Sequence, residues 1–175
     1  MVHKKQRERP ALGRQDRLLL YGTVATTGAA VMMLELLGTR IIGPFYGVSL
    51  YVWSSLISVA LIALSLGYYL GGVVADRETA FRLSYAIALA GLTAAAIPFI
   101  SRPILLWTNG LGMRGGAFAS ALLLFTAPLT LLGMVGPQVI KMATLRREDV
   151  GMAAGSIFAI STVGSVVGTL LLGFY

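Results

Sequence analysis

An all-α, polytopic transmembrane bundle is the fold class this sequence predicts, and three features predict it. Of the 175 residues 57% are hydrophobic and 12% charged, and the mean hydropathy is +0.81, far outside the range of soluble domains. Five apolar runs are long enough, at roughly 20 residues each, to cross a ~30 Å hydrocarbon core. The basic residues cluster between those runs, which is the pattern of membrane topology.

The elements follow in chain order. Residues 1–17, "MVHKKQRERPALGRQDR", hold six Lys and Arg and form a basic cytoplasmic arm. The apolar run after it is too long for a signal-peptide core and lacks a small-residue cleavage pattern, so it reads as a retained first span. The transmembrane domain then covers 18–175, with spans at about 18–38, 51–74, 83–100, 118–135 and 152–172. Punctuation separates them: "GTRIIGPFYGVS", "ADRETAFR", "SRPILLWTNGLGMRGG" and "GPQVIKMATLRREDVG". In the third of these, "ILLW" reads as interfacial. Placing the N-terminus inside puts eleven Lys and Arg on the inner side and three (Arg40, Arg102 and Arg114) on the outer side. The expected location is the inner (plasma) membrane, multi-pass, with Phe174 and Tyr175 as an aromatic anchor on the outer side.

Composition also narrows the chemistry. There is no cysteine, and His3, the only histidine, lies in the basic arm. Thiolate, disulfide and clustered metal sites are excluded, and no cofactor is expected. The formal charge of +7 is accounted for by topology rather than by nucleic acid.

Glu35 is the residue that demands an explanation. It lies eighteen residues beyond Arg17, about 27 Å along a helix, near the outer edge of the hydrocarbon. Carboxylates at such depth usually mark a site or a pathway, although one near the interface can also simply reach water. Arg40 stands about 140° around a straight helix from Glu35, a poor angle for pairing, so a break at Gly38 would be needed to bring them together. Gly43, Pro44 and Gly47 interrupt the following apolar segment and suggest a turn packed back onto the bundle. Glu35, Arg40, Tyr46 and Ser49 would then line an outer vestibule able to attract a cation, or the Arg and Glu would merely fix the turn.

Glycines mark the packing faces. Gly67 and Gly71 on the second span, and Gly151/Gly155 and Gly164/Gly168 on the fifth, recur at the four-residue spacing that permits close helix approach in lipid. Ser161 and Ser165 lie near the same face of the fifth span. Asp76 and Arg77 close the second span at the inner surface, and Lys141, Arg146 and Arg147 belong at the inner headgroups, each contributing about 1 kcal/mol with anionic lipid.

Two resemblances add to this reading. Gly72 to Arg77, "GVVADR", is similar to the loop motif between the second and third helices of major-facilitator transporters, in which the Asp-Arg pair belongs to a cytoplasmic gating network. The motif's later basic residues are missing. More broadly, "ELLGTRIIGPFYGVSLYVW", "ALSLGYYLGGVVADR" and the stretch from "GMVGPQVIKMATLRRED" through "GTLLLGF" together resemble the N-terminal membrane region of membrane-bound spermidine synthase-like proteins. Matching positions include Glu35, Arg40, Pro44, Gly47, Ser49 and Trp53, then Gly67, Gly71, Gly72, Asp76 and Arg77, then Pro137, Lys141, Gly151, Gly155, Thr162, Gly164 and Gly168. Ser161 departs from the pattern, where Asn is usual.

The resemblance implies a module that anchors or serves a polyamine-related catalytic partner. In fused family members that partner is a Rossmann-like aminopropyltransferase domain, whose Gly-rich acidic signature is absent here, so this chain is not expected to be an enzyme by itself. The family's membrane part also continues into further helices, so the five spans are expected to be part of a six-helix, half-transporter-like unit. Implied partners are membrane lipid, a soluble aminopropyltransferase-like protein, other membrane subunits or a second copy of the chain. Two other functions stay open: a structural subunit of a larger membrane complex, and a transporter-like half unit for a cation or polyamine.

Overall fold

The structure, a computed structural model, describes residues 13–76, 83–144 and 150–174. All regular structure among them is helical: α1 (Arg14–Tyr46), α2 (Leu50–Asp76), α3 (Leu83–Thr108), a single 3-10 turn at Asn109–Leu111, α4 (Gly112–Gly133), α5 (Val135–Ala143) and α6 (Val150–Phe174). Most of the basic arm, Arg77, Arg146, Arg147 and Tyr175 lie outside the described residues.

Four helical stretches are long and apolar enough to cross a membrane, the third of them, Leu83–Ala143, running for 61 residues with only the 3-10 turn and a break at Met134 inside it. That stretch nevertheless doubles back on itself. Thr108 Oγ1 and Ser120 Oγ stand 2.6 Å apart, whereas twelve residues of straight helix would separate them by about 18 Å. Gly112, in the left-handed region at φ 73°, sits at the reversal, a conformation glycine adopts without steric penalty.

Several helix ends differ from the sequence reading. α1 starts at Arg14, so the end of the basic arm is helical, and it continues unbroken past Gly38 to Tyr46. Gly38 is a packing residue instead of a hinge: a Cβ there would meet Leu56 Cδ2 at 2.7 Å and the Phe125 ring at 3.3 Å. The break comes at Gly47, where φ is 78°. Pro44 falls in the last turn of α1, where the backbone donor it lacks affects only one bond of the ladder. α3 absorbs Pro98 and Pro103 and carries "ILLW" in its last turns, past the span end expected at 100. Pro137, by contrast, separates α4 from α5. It cannot donate to the Gly133 carbonyl four residues back, and the helix breaks at Met134 before restarting with Pro137 in its first turn.

Two glycine seams assemble the bundle. In the first, α1 and α6 run parallel. A Cβ on Gly164 would collide with the Ala25 carbonyl, one on Gly168 would lie 2.8 Å from Ala29 Cβ, and one on Gly28 would lie 2.5 Å from the Ser161 carbonyl oxygen. Ser165 Oγ crosses the seam to donate to the Gly28 carbonyl at 2.9 Å.

The second seam joins α2 and α4, also in parallel. Gly67 abuts the Thr130 carbonyl and Gly133, and a Cβ on Gly71 would stand 2.7 Å from Met134 Cα. Here Thr130 Oγ1 donates across to the Ala63 carbonyl at 3.1 Å. α3 covers α4, whose buried Ala117, Ala121, Leu124, Phe125 and Leu129 occupy the centre of the larger core. A smaller cluster of Leu20, Val24, Val135, Val139 and Ile157 closes the other end of the bundle.

Gly155 takes no part in the α6 seam. It is exposed, with nothing within 4 Å of where its Cβ would be, and Gly151 is the same. The reason is angular: nine residues at about 100° each put Gly155 on the opposite side of the helix from Gly164. Gly164→Ala and Gly67→Ala should each destabilise the folded chain by about 1–3 kcal/mol through overpacking, whereas Gly155→Ala and Gly72→Ala should not. Thermal unfolding in detergent reads the difference, and a wild-type midpoint for Gly164→Ala would refute the seam.

Candidate functional site

No side-chain hydrogen bond or ion pair among the described residues links the four residues expected to share an outer vestibule. Tyr46 is buried, 3% exposed, and its hydroxyl stands 2.9 Å from Thr108 Oγ1 and 3.3 Å from the Leu105 carbonyl. Thr108 Oγ1 in turn lies 2.6 Å from Ser120 Oγ and 2.8 Å from the Ile104 carbonyl. One set of protons satisfies the whole network: Ser120 donates to Thr108, Thr108 to Ile104, and Tyr46 to Leu105 or Thr108. Gly116 makes room for it, since a Cβ at that position would lie 2.5 Å from the Tyr46 ring. The network ties the ends of α1 and α3 to the start of α4, and it is structural.

Arg40 is exposed, and among the described residues neither it nor Glu35 has a hydrogen-bond or ion-pair partner. With α1 straight at this point, the unfavourable angle between the two persists. Ser49 Oγ is buried without a hydrogen-bond partner just before α2. At the surface nearby, Arg114 donates to Tyr51 Oη at 2.9 Å and its guanidinium stacks 4.4 Å from the ring centroid.

A different feature gathers polar groups at membrane depth. Between α2 and α6, with α1 and α4 as its floor, lies a cleft of about 240 Å³. Thr27, Tyr68, Ser161, Thr162 and Ser165 bring hydroxyls to it, amid Val31, Met32 and Leu132. Three of these hydroxyls are used inside helices or across the seam: Thr27 donates to Val24, Thr162 to Phe158 and Ser165 to Gly28. Those of Ser161 and Tyr68 have no partner among the described residues. Glu35 is half-buried and lies seven residues from Gly28, within about 20° of it around α1. Glu35 therefore falls on the same face of α1 as the cleft floor, one turn beyond Val31 and Met32 and outside the cleft's lining.

At the end of the bundle where α1 begins, Lys141 Nζ donates to Asp76 Oδ1 at 2.7 Å. This pair links the end of α2 to α5, and because the Asp76 side chain is 81% exposed it contributes at most about 1 kcal/mol. Its position gives Lys141 a protein partner in addition to the headgroups expected from sequence. Gly72 has open space around it.

Sequence reasoning overlooked Thr108, Ser120 and Tyr68. Thr108 and Ser120 are hydroxyls on apolar helices, and the signal available was the tendency of Ser and Thr in lipid to bond across helices; the identity of the partner depends on the helix reversal at Gly112. Compared with known proteins, the chain matches no family model, no curated protein and no solved structure.

Tyr46→Phe removes a hydrogen bond from a fully buried network and should cost about 1–2 kcal/mol, read as a lowered unfolding midpoint in detergent. For Glu35→Gln and Arg40→Gln the double-mutant cycle should show coupling no larger than about 0.3 kcal/mol. A coupling near 1 kcal/mol would mean that the two side chains interact.

Proposed function

We propose that this chain is a five-crossing membrane module of the spermidine synthase-like kind, with its N-terminus inside, that anchors and serves a polyamine-related catalytic partner. The parallel direction of α1 and α6 supports the odd number of crossings, with α3 and α4 each counted as one. The observation that carries the functional reading is the hydroxyl-lined cleft, with Glu35 on the same face of α1 one turn beyond its lining. Glu35 is the one carboxylate among the described residues set well within a helix; Asp16 and Asp76 lie at helix ends.

The chemistry of a polyamine fits such a surface. Its ammonium groups need a carboxylate and neutral oxygen acceptors, and the methylene segments between them fit apolar walls such as Val31, Met32 and Leu132. The partner would perform aminopropyl transfer, for which this chain has no acidic Gly-rich loop.

A second reading is the structural subunit of a larger membrane complex, its charges serving only topology; because Gly67, Gly71, Gly164 and Gly168 pack against this chain's own helices, it would have to meet its neighbours through other faces. The transporter-like half unit is the third; it would need the cleft to be completed by a second copy or another subunit.

Spermidine should raise the unfolding midpoint of the purified chain, and Glu35→Gln should abolish the shift while leaving the ligand-free midpoint in place. Affinity purification from gently solubilised membranes should also recover an aminopropyltransferase-like protein. No shift and no such partner would end the proposal, and native mass spectrometry showing a fixed stoichiometry with other membrane proteins instead would favour the structural subunit.

A further inference from the structure

At the end of the bundle where α1 begins is a second cavity, of about 210 Å³, between the starts of α1 and α6 and the end of α5. That is far more room than one buried water requires. Its wall is two-sided in chemistry. Leu20, Met152, Ala153 and Ile157 give it an apolar lining, and Arg17 and Tyr21 present a guanidinium and a phenol from adjacent turns of α1. Neither polar group is engaged: among the described residues Arg17 has no ion pair, and the Tyr21 hydroxyl has no hydrogen-bond partner. Asp16 does not serve Arg17, since its carboxylate accepts from the Gly13 backbone N–H at 3.2 Å.

We propose that this cavity binds one anionic phospholipid, its phosphate held by Arg17 and Tyr21 and the upper part of an acyl chain lying against Met152 and Ile157. Charge complementarity selects the ligand. An unpaired guanidinium at the membrane surface attracts phosphate and offers it two parallel N–H donors, and the apolar wall directly behind it rewards a ligand that carries a hydrocarbon tail. A zwitterionic lipid brings its own ammonium to the guanidinium and loses that preference. The proposal is independent of the polyamine reading, because it uses neither the α2–α6 cleft nor Glu35.

The test is native mass spectrometry of the full chain in detergent, titrated with phosphatidylglycerol, phosphatidylcholine or inorganic phosphate. One phosphatidylglycerol should be retained in preference to phosphatidylcholine, and phosphate alone should not displace it. Arg17→Gln should reduce its occupancy about fivefold, the factor that one basic residue contributes at an anionic surface. Ala153→Phe, which fills the cavity and keeps every charge, should do the same, and Arg102→Gln, at the other end of α3 from the inner side, should have no effect. Arg17 is exposed, so its loss of binding is interpretable even if Ala153→Phe proves unstable. Equal retention of the two lipids, wild-type occupancy in Arg17→Gln, or displacement by free phosphate would each overturn the assignment.

Discussion

Hydrocarbon is as apolar as leucine, so a helix in lipid gains little by turning a greasy face toward another helix. Association depends instead on how closely backbones approach and on hydrogen bonds that span the contact. Everything else in this structure follows from two places where that is achieved. Along α1 and α6, and along α2 and α4, glycines bring one backbone against the carbonyls of the other, and in each seam a single hydroxyl donates to a main-chain carbonyl across the gap. These bonds pair the Ser165 and Thr130 hydroxyls in a medium that offers no water. α3 and α5 then fill in around the pairs.

The two seams also define where the open space lies. α6 is held chiefly by α1, and α2 by α4, so the flank between α2 and α6 has no helix of its own. The cleft there is a consequence of pairing geometry, and the hydroxyls that line it are partly the ones that build the seams. Ser165 illustrates the point: it faces the cleft, yet its proton is committed to Gly28. Tyr68 and Ser161 retain the freedom that Ser165 has given up. Any ligand in the cleft would therefore meet a surface of mixed capacity, with acceptors more numerous than donors, which suits a cation.

Helix class and the approximate location of the apolar runs were legible in the sequence, because hydropathy over twenty residues is a strong signal. Helix ends were not. Gly38 and Gly47 look alike in one dimension, yet one is squeezed against Leu56 and the other turns the chain. Prolines differ in the same manner: Pro98 and Pro103 pass within α3, and Pro137 stands at the break between two helices. A four-residue spacing says which glycines share a stripe, but not whether a neighbour occupies that side. Gly67 and Gly71 meet backbone, and Gly151 and Gly155 meet nothing. Tyr46 was the hardest to place, since its phenol is buried by partners 59 and 62 positions away. The sequence separates spans 83–100 and 118–135 at "SRPILLWTNGLGMRGG"; what no hydropathy profile reveals is the hydroxyl contact that holds α3 against α4.

The seam between α1 and α6 joins residues 137 positions apart. At synthesis rates of about 5–20 residues per second, α1 leaves the ribosome on the order of ten seconds before its companion exists. During that interval the stripe at Ala25, Gly28 and Ala29 must be covered by acyl chains or by the insertion machinery. Biogenesis therefore passes through a long-lived intermediate in which this face of α1 waits for α6.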